Sequence, residues 1–232
     1  PIEAIGAAIG MFYEGMPLSG ISRQLWNMYR VQPSRSTLYE WITKYSKVAD
    51  RLVADLKPRL GKAWVVDETV LKVKGKNTWF WDVLDSDSRY LIASHLSATR
   101  GTRDAEAVMR QAQDKTDKPP KFIISDKLAA YLDDIERVFG ADTWHLQGSP
   151  FSGEISTALI ERFHGTLKDR TKVMRGLKSR ETAKRILSGY LMHYNFFRPH
   201  QGLKGKTPAE IADLKFPYGS WADIVRGERK TW

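Results

Sequence analysis

Hydrophobic positions recur at two different spacings along this chain, and the spacing changes near residue 60. In the first fifty residues, apolar side chains recur every three or four positions, which predicts amphipathic helices. A turn over 14–17 separates the first two helices, and Ser19 or Ser22 is placed to cap the second. The apolar positions are Ile5, Ala8, Ile9 and Phe12 in the first helix and Ile21, Leu25 and Met28 in the second.

A third amphipathic helix is predicted after Pro33, and its first residues are polar and basic. A short helix, a tight connection and a second helix of this kind are typical of a helix-turn-helix, which places the start of the second helix in the major groove of DNA. The alternative is an ordinary helical bundle, because periodicity alone does not separate the two. The candidate DNA contacts are Arg35, Ser36, Thr37, Tyr39 and Lys44.

From Lys62 onward the pattern favours β-strands alternating with helices, which predicts an α/β fold. Two apolar runs, 63–67 and 121–126, each end in an acid, and strands at 79–84 and 89–96 flank a turn at 85–88. A short strand is predicted at 142–145 and a loop at 148–153. Helices are predicted over 103–113, 128–139, 156–172 and 181–196.

Two strands that each end in an aspartate suggest two carboxylates at one edge of a sheet. Asp67 and Asp126 occupy these positions, and Glu161 lies on a predicted helix that could supply a third carboxylate. Mg²⁺ prefers oxygen ligands and often takes only one or two carboxylates, which leaves room for phosphate oxygens. A lone acid at a strand end is more often a turn cap. The competing acids are Glu68, Asp82, Asp85, Asp87, Asp104 and Glu154.

Positive charge is concentrated directly after Glu161. The chain carries a formal net charge of +10, and residues 162–206 contain twelve Lys or Arg against two acids. Lys168 follows Glu161 by seven residues, two helical turns, so both side chains share one helix face. A solvated helix face is the alternative, but a polyanionic partner such as nucleic acid explains the concentration better.

The chain has no cysteine, which excludes disulfides and thiolate zinc sites. It shows no signal peptide and no long apolar run, so we expect a soluble, cytoplasmic protein with no membrane association. It begins at Pro1 without a Met, and we expect that a short N-terminal piece is missing.

The ordered set of acids resembles the Asp-Asp-Glu transposases and retroviral integrases. Thirty-four residues separate Asp126 from Glu161, a spacing similar to that of many insertion-sequence transposases. The compact insertion-sequence-six type is the most similar, and the resemblance runs from about Ile5 to Ile211. Three strings carry it: Trp64-Val65-Val66-Asp67-Glu68-Thr69, Ile160-Glu161-Arg162-Phe163-His164-Gly165-Thr166-Leu167-Lys168 and Tyr194-Asn195-Phe196-Phe197-Arg198-Pro199-His200-Gln201-Gly202-Leu203.

This resemblance implies an RNase H-like catalytic core, a mixed sheet flanked by helices, behind an all-α helix-turn-helix domain. It implies Asp67, Asp126 and Glu161 as catalytic residues and ligands of two Mg²⁺ or Mn²⁺ ions. Water would cleave the ends of a mobile element, and the freed 3′-hydroxyl would attack target DNA. The double-stranded DNA partner would meet Arg162, His164, Lys168, Lys172, Arg175 and Arg198.

The expected domains are a helix-turn-helix domain over 1–56, a linker over 57–62, the catalytic domain over 63–200 and a C-terminal tail over 201–232. The resemblance also implies a homodimer or higher oligomer on DNA, in a prokaryotic cell and associated with its nucleoid. Two alternatives stay open: a catalytically silent domesticated DNA-binding protein, and an RNase H-like nuclease that never joins strands. For His164, a structural or phosphate-contacting role is favoured over metal ligation.

Overall fold

A computed structural model describes residues 1–126, 132–148, 157–173 and 177–227. The helices in these ranges are α1 (Ile2–Tyr13), α2 (Leu18–Tyr29), α3 (Arg35–Val53), α4 (Thr102–Gln113), α5 (Leu132–Phe139), α6 (Ala158–Val173), α7 (Arg180–Phe196), α8 (Pro208–Ile211) and α9 (Trp221–Arg226). The strands are β1 (Ala63–Val73), β2 (Lys76–Asp85), β3 (Leu91–Ser97), β4 (Phe122–Ser125) and β5 (Trp144–Gln147).

The described strands form one mixed sheet in the order β3-β2-β1-β4-β5. The first three strands are antiparallel neighbours, whereas β4 and β5 run parallel to β1. Helix α4 packs on β2 and β3, and α6 packs on β1. The predicted α/β fold, a mixed sheet flanked by helices, is confirmed. Strand β1 is buried because its apolar residues, among them Trp64, Val65 and Val66, contact neighbours on both faces of the sheet.

The N-terminal helices occur where the apolar period predicts them. Helix α3 begins after Ser34, whose hydroxyl accepts a hydrogen bond from the Thr37 backbone N–H at 3.1 Å. The predicted cap of α2 is wrong, because Pro17 is the N-cap residue and both Ser19 and Ser22 lie inside the helix. Ser22 instead donates its hydroxyl to the Pro33 carbonyl at 2.9 Å, which ties α2 to the connection before α3.

The N-terminal helices share one apolar core with the C-terminal part of the chain. Helix α3 packs on α7, and α1 packs on α9. Gly6 makes the second contact possible, because a Cβ at this position would lie 2.4 Å from the Ala222 backbone. The chain after 200 is therefore folded against the first helix rather than extended. The domain boundaries stay a prediction.

Several predictions concern residues outside the described ranges. They include Arg175, Glu154, most of the predicted loop over 148–153 and the first residues of the helices predicted from 128 and 156. Among the described residues, no helix is long and apolar enough to cross a membrane.

Candidate active site

The parallel pairing of β1 and β4 brings the first two predicted acids together. The last paired residues of the two strands are Val65 and Ile124, and continuing this register by two residues places Asp67 beside Asp126. Asp126 directly follows β4, as predicted. Asp67 does not end its strand, because β1 continues to Val73 through its antiparallel pairing with β2. It lies instead where the parallel part of the sheet stops.

Three carboxylates meet at this point of the sheet. One oxygen from each of Asp67, Glu68 and Asp126 lies within 4.8 Å of the other two. Asp67 and Asp126 are partly exposed, whereas Glu68 is buried. Clustered hard oxygen ligands, open to solvent on one side, suit Mg²⁺ or Mn²⁺ and leave room for oxygens from a substrate.

A buried histidine connects Asp67 to a fourth acid. The Nδ1 atom of His164 lies 3.5 Å from Asp67 Oδ2, and its Nε2 atom lies 2.8 Å from Asp82 Oδ2. The Asp82 side chain is fully buried and that of His164 is 7% exposed. Asp82 faces Asp67 directly across the β1–β2 pair. Because opposed residues of two strands share one face of a sheet, both carboxylates reach the same ring on α6.

The protonation states of His164, Asp67 and Asp82 depend on one another. Burial lowers the pKa of His164, but the charge and hydrogen bond of Asp82, together with the Asp67 charge, outweigh that effect and leave the pKa above its ordinary value. Burial raises the pKa of Asp67 to about 7, with His164 opposing the rise and Asp82 adding to it. A cation at the cluster would favour the charged form of Asp67.

Glu68 has a separate partner. Its carboxylate accepts a hydrogen bond from Arg100 Nε at 2.6 Å, and the same guanidinium lies 4.8 Å from the centre of the Trp79 ring. The Glu68 side chain is 1% exposed, so Arg100 compensates a buried charge. Glu68 is thus held in place by an ion pair beside the two aspartates.

Glu161 lies on the same helix as His164, one turn earlier. Its carboxylate accepts a hydrogen bond from the Thr157 hydroxyl at 3.0 Å, and its side chain is exposed. It does not belong to the group of carboxylates within 4.8 Å. Because residues three or four apart share a helix face, Glu161 and Lys168 flank His164 along α6, next to Asp67.

The predicted DNA contacts have different surroundings. Arg162, Lys168 and Lys172 are exposed on α6, and Arg198 is partly buried after α7, whereas His164 is buried. That burial favours the structural alternative for His164, and its DNA contact stays a prediction. On α3, Arg35, Ser36 and Lys44 are exposed, and Thr37 and Tyr39 are partly buried.

In the sequence alone, Glu68 and Asp82 are competitors of the predicted site acids rather than members of the site. A signal for Asp82 exists at Lys74-Gly75, the two-residue turn between β1 and β2. Both residues have positive φ, 51° and 75°, which are typical of a type I′ hairpin turn. Such a turn fixes the register of the two strands, and this register places Asp82 opposite Asp67.

Comparison with known families agrees with this geometry. Residues 61–200, more than half of the chain, match a family model described as a DDE domain. The chain belongs to the DDE transposase family. The chain is similar to the transposase for insertion sequence-like element IS431mec of Staphylococcus aureus (strain Mu50 / ATCC 700699), with 25% identity over 93 residues. The match covers 40% of this chain and 41% of that relative. The predicted insertion-sequence-six type is confirmed.

Two solved structures share the fold of this chain. A chain of the simian T-cell lymphotropic virus intasome, solved with PP2A regulatory subunit B56 gamma, gives a TM-score of 0.53 at 18% identity, over 68% of this chain and 57% of that one. The HTLV-2 integrase catalytic core domain in complex with magnesium gives 0.51 at 18% identity, over 68% of this chain and 98% of that one. The predicted RNase H-like core is confirmed.

Proposed function

We propose that this protein is a metal-dependent DNA transposase, which cleaves the ends of a mobile element and joins them to target DNA. The observation that carries the proposal is the convergence of Asp67, Glu68 and Asp126 at the end of the parallel strands, within the DDE domain. The concentration of positive charge in 162–206 supports double-stranded DNA as the substrate, because phosphate contacts supply most of the affinity for DNA.

The residues fit a divalent cation. Asp67 and Asp126 offer oxygens close enough to share one ion, and the Asp67 carboxylate lies 3.5 Å from the His164 ring. Glu161, on the adjoining turn of α6, would be the third catalytic carboxylate and would complete a second metal position. Two bound Mg²⁺ or Mn²⁺ ions would supply charge stabilisation for the attacking and leaving oxygens of an in-line displacement.

The chain's own residues would orient the DNA. Lys168 lies one turn after His164 on the exposed side of α6, where its ammonium can hold a phosphate beside the cut. Arg162, Lys172 and Arg198 add positive charge around the same helix, and Arg175 belongs to the same basic stretch of sequence. The start of α3 would contact the element's terminal repeats through Arg35, Ser36, Thr37, Tyr39 and Lys44.

The reaction consists of two phosphoryl-transfer steps. In cleavage, a water oxygen bonds to phosphorus, the bond from phosphorus to the 3′ oxygen breaks, and that oxygen leaves with a proton as a 3′-hydroxyl. In joining, the oxygen of this hydroxyl bonds to a phosphorus of the target, the bond from that phosphorus to its own 3′ oxygen breaks, and the released oxygen takes the proton as a target 3′-hydroxyl. No redox step or covalent protein intermediate is required. We expect a homodimer or larger assembly on paired ends, working at the nucleoid.

The test is strand transfer of a labelled duplex that carries the terminal inverted repeat read from DNA flanking the gene. With Mg²⁺, the wild-type protein should give cleaved and joined products. Asp67→Asn should lose both while binding the duplex as before, because the amide removes a charged ligand and leaves the DNA-binding surface intact.

Asp142→Asn is the matched control, since it makes the same chemical change at an exposed turn outside the cluster. Full activity of Asp67→Asn would refute the assignment. Cleavage without any joined product would indicate a nuclease, and DNA binding with no cleavage in Mg²⁺ or Mn²⁺ would indicate a silent DNA-binding protein.

A further inference from the structure

A cavity of about 260 Å³ lies beside α6, apart from the carboxylate cluster. Its walls come from the turn before β3, from α6 and from the chain at and after the end of α7. The polar groups that line it include Arg89, Arg162, Thr166, Tyr194, Arg198 and His200. Arg162 and Thr166 share one face of α6, whereas Glu161, His164 and Lys168 share another.

The described part of the cavity wall concentrates positive charge. Among the described residues that line it, none is an aspartate or a glutamate. The ion pairs found among the described residues do not involve Arg89, Arg162 or Arg198. The nearby acids are engaged elsewhere, since Asp82 bonds to His164 and Glu14 bonds to Arg170 and His193. Three guanidinium groups around one cavity favour an anion there.

Two of these arginines are packed against other parts of the chain. Arg89 has a φ of +59°, and its guanidinium lies against Gly202, where an added Cβ would be 2.3 Å from the nearest guanidinium nitrogen. A larger residue at 202 would displace Arg89. Arg198 is partly buried directly after α7. Side chains that are packed against the protein lose less conformational freedom when an anion binds.

His200 adds an unused polar atom to the same wall. Its Nε2 atom is buried and has no hydrogen-bond partner among the described residues. Its ring packs edge-on against Tyr194, with 4.6 Å between ring centres. A buried polar atom without a partner is costly, and a water molecule between this atom and a bound ligand would remove that cost.

We infer that this cavity binds one phosphate group of a DNA strand, held jointly by Arg89, Arg162 and Arg198. Guanidinium groups match the oxygens of a phosphate through paired hydrogen bonds, which selects phosphate over a neutral ligand. The inference rests on the proposed function, which brings DNA to the opposite side of the same helix. Its role is to fix the DNA strand along α6 while another phosphate lies at the carboxylates.

The test measures binding without cleavage, by fluorescence anisotropy of the labelled terminal-repeat duplex in EDTA. Arg162→Gln and Arg198→Gln should each weaken binding about tenfold, in line with the loss of a charge-assisted hydrogen bond. The slope of log affinity against log salt should fall by about 0.9, the value for one phosphate. Because both arginines hold the same phosphate, the slope of log affinity against log salt should fall no further in the double variant than in either single variant.

Arg110→Gln is the matched control, because it removes the same charge from α4, where Arg110 pairs with Glu106. Thermal melting checks that each variant folds, and Arg162 is exposed on its helix, so its replacement should not disturb packing. Single-variant affinities equal to that of Arg110→Gln would overturn the inference. A slope loss of about 1.8 in the double variant would also overturn it, since it would indicate two separate phosphates.

A second arm separates DNA from free phosphate. The melting temperature of the wild-type protein is compared in inorganic phosphate and in chloride at equal ionic strength. One contrary result is that phosphate raises the melting temperature of the wild-type protein but not that of the double variant, while the wild-type protein fails to bind the duplex. This result would overturn the DNA assignment and would also count against the proposed function. Duplex binding that is insensitive to both arginines would overturn this inference alone and leave the proposed function standing.

Discussion

At the scale of single residues, the site depends on a histidine held between two aspartates. His164 contacts Asp82 at 2.8 Å and Asp67 at 3.5 Å, and all three side chains are largely withdrawn from solvent. Asp82 is fully buried and contacts the site through this ring, so it is a positioning residue. By orienting His164, it fixes the direction in which the Asp67 carboxylate presents its oxygens.

Asp82→Asn should therefore weaken the use of metal without removing any ligand. The amide keeps the shape of the side chain but loses the charge that holds His164, so we expect the Mg²⁺ concentration for half-maximal strand transfer to rise about 10-fold or more. The measurement is the transfer rate over a Mg²⁺ titration. The rate at saturating Mg²⁺ should fall much less than in Asp67→Asn. An unchanged Mg²⁺ requirement in a folded Asp82→Asn protein would show that the contact has no positioning role.

At the scale of whole elements, α7 is the helix that joins the N-terminal helices to the sheet domain. The Tyr13 hydroxyl on α1 and the Ser46 hydroxyl on α3 bond to each other at 2.6 Å, directly above Gly189 on α7. A Cβ at 189 would lie 2.0 Å from the Tyr13 oxygen and 2.3 Å from the Ser46 oxygen. The three helices pack this closely because position 189 has no side chain.

Gly189→Ala should destabilise the protein by about 1–3 kcal/mol, the usual cost of overpacking a buried contact. Gly165→Ala on α6 is the matched control, since no atom lies within 4 Å of its added Cβ. The control should be neutral or gain about 0.5–1 kcal/mol, because alanine favours a helix over glycine. Urea unfolding of both variants measures the difference. Equal stabilities would mean that the three helices do not depend on this close contact.

Much of this architecture is visible in the sequence, because local rules govern it. The apolar period of the first helices and the apolar runs before Asp67 and Asp126 each predict the element that the structure contains. The convergence of the two aspartates follows from parallel pairing. The extension of β1 to Val73 was not predicted, since its second half gains stability from the hairpin with β2 rather than from an apolar run.

The other two acids of the site, Asp82 and Glu68, are placed there by contacts with residues distant in the sequence. Asp82 became part of it through its pairing opposite Asp67, and Glu68 through an ion pair with Arg100, thirty-two residues away in sequence. Met28 illustrates the same limit in the helices, because it fits the apolar period of α2 but is 61% exposed. A single sequence does not show which residues pack or pair with these side chains in the folded protein.

At the scale of the whole molecule, the carboxylate cluster and the basic residues of the last turn lie toward opposite ends of α6. The helix begins beside the carboxylate cluster with Glu161 and has Arg170 and Lys172 in its last turn. The net charge of +10 draws DNA to the protein, while the carboxylates form a small acidic point within that basic surface. A divalent cation at the cluster would let a DNA phosphate approach the carboxylates, since it removes the repulsion between the acids and the phosphate.

The central claim is that Asp67 and Asp126 form a divalent-metal site, and Mn²⁺ binding followed by electron paramagnetic resonance tests it most directly. Wild-type protein should bind Mn²⁺ and release it as Mg²⁺ is added. Asp67→Asn and Asp126→Asn should each weaken Mn²⁺ binding by more than the roughly 10- to 100-fold typical of outer-shell changes, whereas Asp142→Asn should match the wild type. Unaltered Mn²⁺ affinity in both folded site variants would contradict the account.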